Sequence, residues 1–114
     1  MPKDHDLPQP APPPHNLAAE MAVLGAILFD NNAYQRVSDF LKVRDFYAPA
    51  NATIYEVLEK MISGGRVADG VILREHFEHQ EALAEIGGAR YLADLLDSAA
   101  FGPEIFDYAR LVHD

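Results

Sequence analysis

The sequence predicts an all-α fold: a compact bundle of about six helices, with no β-sheet, behind an extended Pro-rich N-terminal arm. Three observations lead there. Leu17-Ala-Ala-Glu-Met-Ala-Val-Leu-Gly-Ala-Ile-Leu-Phe29 carries a single charge, Glu20, in thirteen residues. A helix apolar nearly all round must be enclosed by others, and this one falls short of the roughly 20 apolar residues that span a bilayer. Every later segment repeats its apolar residues at helical spacing between capping or glycine signals. No stretch alternates with period two and β-branched enrichment, the mark of a half-buried strand.

Residues 1–14, MPKDHDLPQPAPPP, form the arm. Prolines remove backbone donors and favour extended polyproline conformations, so no helix is expected there. Leu7 and Leu17 are candidates to pin its ends, and docking of the Pro-x-x-P segment to an SH3-type module is the alternative to a plain leader. The helical domain is expected over 15–114. Asn16 N-caps the first helix, in which Leu17, Met21, Leu24 and Leu28 make one stripe. Ala22, Gly25 and Ala26 are small enough to let a neighbour approach closely.

Tyr34, Val37 and Leu41 predict a short second helix over 33–41, and Phe46 and Tyr47 a packed corner before Pro49. The third helix, 51–63, places Ile54, Val57, Leu58, Met61 and Ile62 on one face and ends at Gly64-Gly65. Asp69 caps a fourth over 70–79, with Ile72, Leu73, His76 and Phe77 on its inner face. Gly87-Gly88 starts a fifth that runs to about 98 and buries Tyr91, Leu92, Leu95 and Leu96. Gly102-Pro103 opens the sixth, with Pro at the first helical position and Ile105, Tyr108, Ala109 and Val112 inward. The structural core is therefore expected to include Leu17, Met21, Leu24, Gly25, Leu28, Ile54, Leu58, Leu92 and Leu95. The sixth helix is still running at Asp114, which reads as a fragment of a longer protein.

Composition narrows the function. Nine Lys and Arg stand against eighteen Asp and Glu, a net charge of −9 that repels phosphate backbones and disfavours direct nucleic-acid binding. Cysteine is absent, so there is no disulfide, thiolate nucleophile or Cys-ligated zinc. The N-terminus lacks the basic-then-apolar pattern of a signal peptide, which makes a cytoplasmic protein the plain reading. No phosphate-binding Gly-x-x-x-x-Gly-Lys-Ser/Thr loop occurs, and Gly87-Gly88-Ala89-Arg90 reads as a tight interhelical turn. His76 and His79 are one turn apart, but no third ligand has a fixed spacing; they read as a capping core histidine and an exposed one. The acid pairs Asp94/Asp97 and Glu56/Glu59 fall on solvated faces, as does the run Glu78, Glu81, Glu85. No catalytic, cofactor or metal constellation emerges.

Phe106 and Leu111 project to either side of the inner stripe of the sixth helix. Neighbouring loops partly bury them, or they form a protein–protein surface or pack against whatever follows Asp114. Contact is assigned to Phe106, Arg110 and Leu111, with Glu104 and Asp107 as rim.

A longer pattern now stands out: Pro14-x-x-Leu17-x-x-Glu20-x-x-x-Leu24-Gly25-x-x-Leu28-x-Asp30, then Asp45-Phe46-Tyr47, Ile54-Tyr55 and Gly65-x-x-x-Asp69-x-Val71-x-Leu73. Ile86-Gly87-Gly88-x-x-Tyr91-Leu92 and Tyr108-Ala109-x-x-Val112 complete it. In order and spacing this resembles the N-terminal domain of bacterial DnaB-type replicative DNA helicases, from about residue 14 to the last. It departs at Asn51-Ala52, where His and a basic residue are common, at Gly70, where Pro is frequent, and at Gly102-Pro103-Glu104, where an Ala-Asn-type start is typical.

The resemblance implies a non-catalytic domain that joins its copies in a collar on the hexamer and offers surfaces to primase and, in some bacteria, to a helicase loader. ATP and magnesium would belong to a C-terminal RecA-like motor outside this sequence. It also implies that the sixth helix leads into a helical hairpin that pairs with a neighbouring subunit. Three alternatives are distinguishable. A free-standing regulator mimicking the domain differs in its reading frame beyond Asp114. A small DNA-binding module needs a basic helix face, and an enzyme built on His76 and its acidic neighbours would hold a metal.

Overall fold

A computed structural model describes residues 16–78, 81, 84 and 87–114; the arm over 1–14, together with His79, Glu85 and Ile86, lies outside the described residues. Helix α1, Leu17–Phe29, forms the centre. Asn16 Oδ1 accepts from the Ala19 N–H at 3.0 Å, satisfying one of the unpaired donors of the first turn. Ala19, Val23, Leu24 and Ile27 have no exposed surface, because α3 (Pro49–Ser63), α5 (Ala89–Asp97) and α6 (Glu104–His113) all pack against α1. The other elements are α2, Ala33–Val37, a 3-10 turn at Val43–Asp45, and α4, Gly70–Phe77. Among the described residues the fold is six α-helices with no strand.

Helices α1 and α5 meet backbone to backbone at Gly25. A Cβ on Gly25 would lie 1.8 Å from the Leu95 carbonyl oxygen, so glycine alone permits this separation. Just beyond, the Ala100 N–H donates to the Ala22 carbonyl at 3.1 Å and ties the exit of α5 to α1. At the other end Asn31 bridges two chain segments. Its Nδ2 donates to the Ile27 and Ala68 carbonyls, both at 2.9 Å, while its Oδ1 accepts from the Ala68 N–H at 2.8 Å. That single side chain fixes the approach to α4.

Several elements differ from expectation, each for a local reason. Leu17, expected in the core, is 45% exposed because only the middle turns of α1 are covered; Phe29 protrudes likewise at the far end. Met21 is half-buried against the core. Helix α2 stops at Val37, where Ser38-Asp39 favour turns, yet the Leu41 N–H still reaches the Val37 carbonyl and Leu41 is fully buried. Helix α3 begins two residues earlier than expected, with Pro49 in its first turn, where a missing N–H costs nothing. Tyr47 turns its ring half outward instead of packing beside the buried Phe46.

The short α4 buries only Leu73 and Phe77; Ile72 is 38% exposed and His76 lies on the surface, with its ring against Phe77. A core role for His76 is thereby overturned, since this eight-residue helix buries only the narrow stripe of Leu73 and Phe77, and its main described neighbour is α5. On α5, Leu92 and Leu95 are buried, whereas Leu96 emerges and Tyr91 is half-buried. The proline of α6 stands at the cap position and Glu104 is the first helical residue.

Candidate protein-docking face

Two polar or mixed clusters distinguish this helical domain, and one of them is wholly internal. Glu20, the lone charge of α1, is 1% exposed. Its carboxylate accepts from the Tyr47 N–H at 2.7 Å, the Ala48 N–H at 3.3 Å and Asn51 Nδ2 at 2.9 Å. Helix α3 has no side-chain cap of its own, since Ala48 stands at that position with Pro49 next. A carboxylate from α1 therefore caps α3 from across the fold, where the helix dipole favours negative charge. Asn51, also 1% exposed, accepts a short hydrogen bond from the Tyr91 hydroxyl, which extends the network to α5. Burial raises the Tyr91 phenol above its ordinary value; the bond to Asn51 opposes the rise and the Glu20 carboxylate adds to it. Among the described residues no buried side-chain nitrogen or oxygen is left without a partner.

Sequence reasoning noticed Glu20 as the lone charge of α1 but gave it no partner, and treated Asn51 as a departure from the family pattern. The available signal was the isolation of one carboxylate in an otherwise apolar helix that must be buried, because such a charge requires partners.

The second cluster faces outward along α6. Phe106, 43% exposed, meets Phe40 edge-on with ring centroids 5.4 Å apart. The Arg110 guanidinium lies 5.4 Å from the Phe40 ring centre and 5.2 Å from that of Phe106. His113 sets its ring 5.7 Å from Phe40 and its Nδ1 3.1 Å from Asp45 Oδ2. Asp45 is already engaged, accepting from the Lys42 N–H at 2.8 Å. Of the residues assigned to contact, Phe106 and Arg110 are thus brought together. Leu111, 51% exposed, stands apart on the other side of the ridge, and Glu104 and Asp107 are exposed on the first turns. Phe40, His113 and Asp45 were not foreseen as a cluster, since their meeting depends on how the segment between α2 and α3 packs on α6 and leaves no spacing signal.

Apolar side chains are exposed elsewhere as well, Phe29, Val67, Val71 and Phe101 among them. Phe29 and Phe101 form an exposed edge-to-face pair at 5.4 Å where α1 ends. Between α4 and α5 an open cleft of about 400 Å³ is lined by Gly70, Val71, Ala89, Leu92, Ala93 and Leu96. Among the described residues no three His, Asp or Glu gather as a metal would require, and no helix is long and apolar enough to cross a membrane.

These features have close relatives. The family model of the DnaB-like helicase N-terminal domain matches residues 12–114. The replicative DNA helicase DnaB of Treponema pallidum is 38% identical over 102 residues, covering 90% of this chain and 23% of that protein. That of Rickettsia felis is 35% identical over 112 residues, 98% of this chain and again 23% of the relative. The chain thus spans under a quarter of the length of these curated relatives. The crystal structure of the N-terminal domain of DnaB helicase from Mycobacterium tuberculosis superimposes with a TM-score of 0.80 at 33% identity, over 90% of this chain and 74% of that one. With its helical fold and its sequence matched over nearly the same span, the chain belongs to the DnaB-like helicase N-terminal domain family.

Proposed function

We propose that this domain serves a replicative helicase as its docking and oligomerisation module, with α6 as a contact face. On this reading it joins its copies in a collar on the hexamer and offers surfaces to primase or a helicase loader. ATP and magnesium would act in the C-terminal motor of the full-length protein, and neither DNA nor a membrane would be a direct partner. The observation that carries the proposal is the outward cluster on α6. Exposed Phe106 and Leu111 flank an arginine seated on aromatic rings, on a helix whose inner stripe is already buried. Aromatic residues and arginine, ringed by charges, are the composition of interface hot spots. Glu104 and Asp107 supply the rim.

Sedimentation of the chain, alone and with primase, tests this. Phe106→Ala and Leu111→Ala should each weaken self-association or primase binding while helicity stays unchanged. Unaltered sedimentation and unaltered primase titrations in both variants would contradict it.

A further inference from the structure

We infer that the open cleft between α4 and α5 is the seat of this chain's own Pro-rich arm, with Leu7 as its anchor. The cleft holds about 400 Å³. Leu92, buried, lines it together with the exposed side chains of Val71 and Leu96. Gly70, Ala89 and Ala93 give its walls little bulk, so a second backbone can approach closely. An apolar hollow rimmed by polar groups marks a place where something docks. Prolines stand at 8, 10, 12, 13 and 14, directly after Leu7. A proline-rich strand suits such a hollow, because it offers apolar rings and loses little freedom on docking.

Reach and charge select the arm as occupant. It joins the helical domain at Asn16, one turn before Glu20. The hydrogen bonds from Glu20 through Asn51 to Tyr91 fasten that end of α1 to α5, another face of which lines the cleft. The nine residue steps from Leu7 to Asn16 span about 28 Å as polyproline, against the roughly 10–12 Å diameter of the helix to be passed. Arg74 also lines the cleft and forms no ion pair among the described residues, while Asp6 adjoins Leu7 and Asp4 lies two residues before it. A tether this short holds the arm at an effective concentration on the order of millimolar, so even a weak contact is populated. The arm is then a displaceable strap, and any ligand of the cleft must first free it.

The test exploits the absence of cysteine, since a single introduced thiol is labelled uniquely. A nitroxide on Lys3→Cys of the full chain should broaden the backbone amide signals of Val71, Arg74, Ala93 and Leu96, and spare those of Asp107 and Leu111 on the outer side of α6. Leu7→Asp, which leaves every described contact of the helices in place, should remove the effect. Arg74→Glu should weaken it by about two- to fivefold, the worth of one exposed ion pair. Helicity and unfolding midpoint are recorded for each variant. Spin-labelled chain mixed with unlabelled, isotopically enriched chain should give no broadening, because the contact lies within one copy. Broadening spread evenly over the surface, broadening undiminished by either substitution, or broadening that passes between copies would overturn the inference. None of these outcomes bears on α6, whose docking role is read separately from Phe106→Ala and Leu111→Ala.

Discussion

The α1 seam and the outer side of α6 are both rich in apolar residues, and they differ in whether that surface finds a partner within the fold. Along α1, Gly25 admits α5 to backbone contact, and Glu20 spends its carboxylate on the start of α3. Nothing polar is left over there: among the described residues no buried side-chain nitrogen or oxygen lacks a partner. Along α6 the inner residues Ile105, Ala109 and Val112 are covered, yet Phe106 and Leu111 remain near half exposed and Arg110 has only aromatic faces beneath it. The seam explains why the domain folds. The ridge keeps apolar surface exposed after folding, and on the proposed reading that separates a stability element from a docking element.

Substitutions can break or sharpen this contrast. The largest effect is expected at Gly25: Gly25→Ala forces α1 and α5 apart and should cost about 3 kcal/mol or more, at the upper end of overpacking effects, read as a lower urea midpoint. Next is Glu20→Ala, which leaves the Tyr47 and Ala48 N–H groups and the Asn51 amide without their shared acceptor. A loss of about 2–3 kcal/mol follows from stranding donors in the interior, and Glu20→Gln, which keeps one acceptor oxygen, should lose less.

Tyr55 offers a titration. Its hydroxyl donates to the Leu41 carbonyl at 2.7 Å, and burial, aided by Tyr34, Glu59 and Asp45, holds its pKa well above the ordinary tyrosine value. A pKa raised on folding stabilises the native state fully below the unfolded value of about 10 and progressively less as pH climbs toward the folded one. Stability should therefore fall above about pH 10. Tyr55→Phe should lower stability by about 1 kcal/mol at neutral pH through the unpaired Leu41 carbonyl, and should flatten that alkaline decline. A decline as steep in the variant as in the parent would assign it to Tyr34 or Tyr91, which burial also shifts upward. Smallest in stability is Leu111→Ala, within about 0.5 kcal/mol as for an ordinary surface site.

The fold was largely legible because helices declare themselves locally. Asn16 and Asp69 cap where expected, and the apolar stripes of α3 and α6 bury Ile54, Leu58, Met61, Ile105, Ala109 and Val112 while Val57, Ile62 and Tyr108 are half-buried. What the chain alone did not reveal depends on tertiary partners. Leu17 and His76 have the pattern of core residues but lie where the described neighbours leave them exposed. The cap of α3 comes from Glu20, 28 residues before Ala48, and no local motif encodes that. The aromatic seat of Arg110 combines Phe40, in the turn after α2, with Phe106 on α6, which only the tertiary packing of that region brings together. Phe106 and Leu111 were visible as misfits in a helical stripe, since amphipathic spacing needs no tertiary information.

The most direct measurement compares Phe106→Ala/Leu111→Ala with the unaltered chain on one sample series, reading association by sedimentation and stability by urea unfolding. Association should collapse while the unfolding midpoint shifts only slightly, since these side chains rest at the edge of the packed interior. An unchanged assembly, or a fall in stability large enough to explain its loss, would show that the ridge belongs to the core and not to a partner.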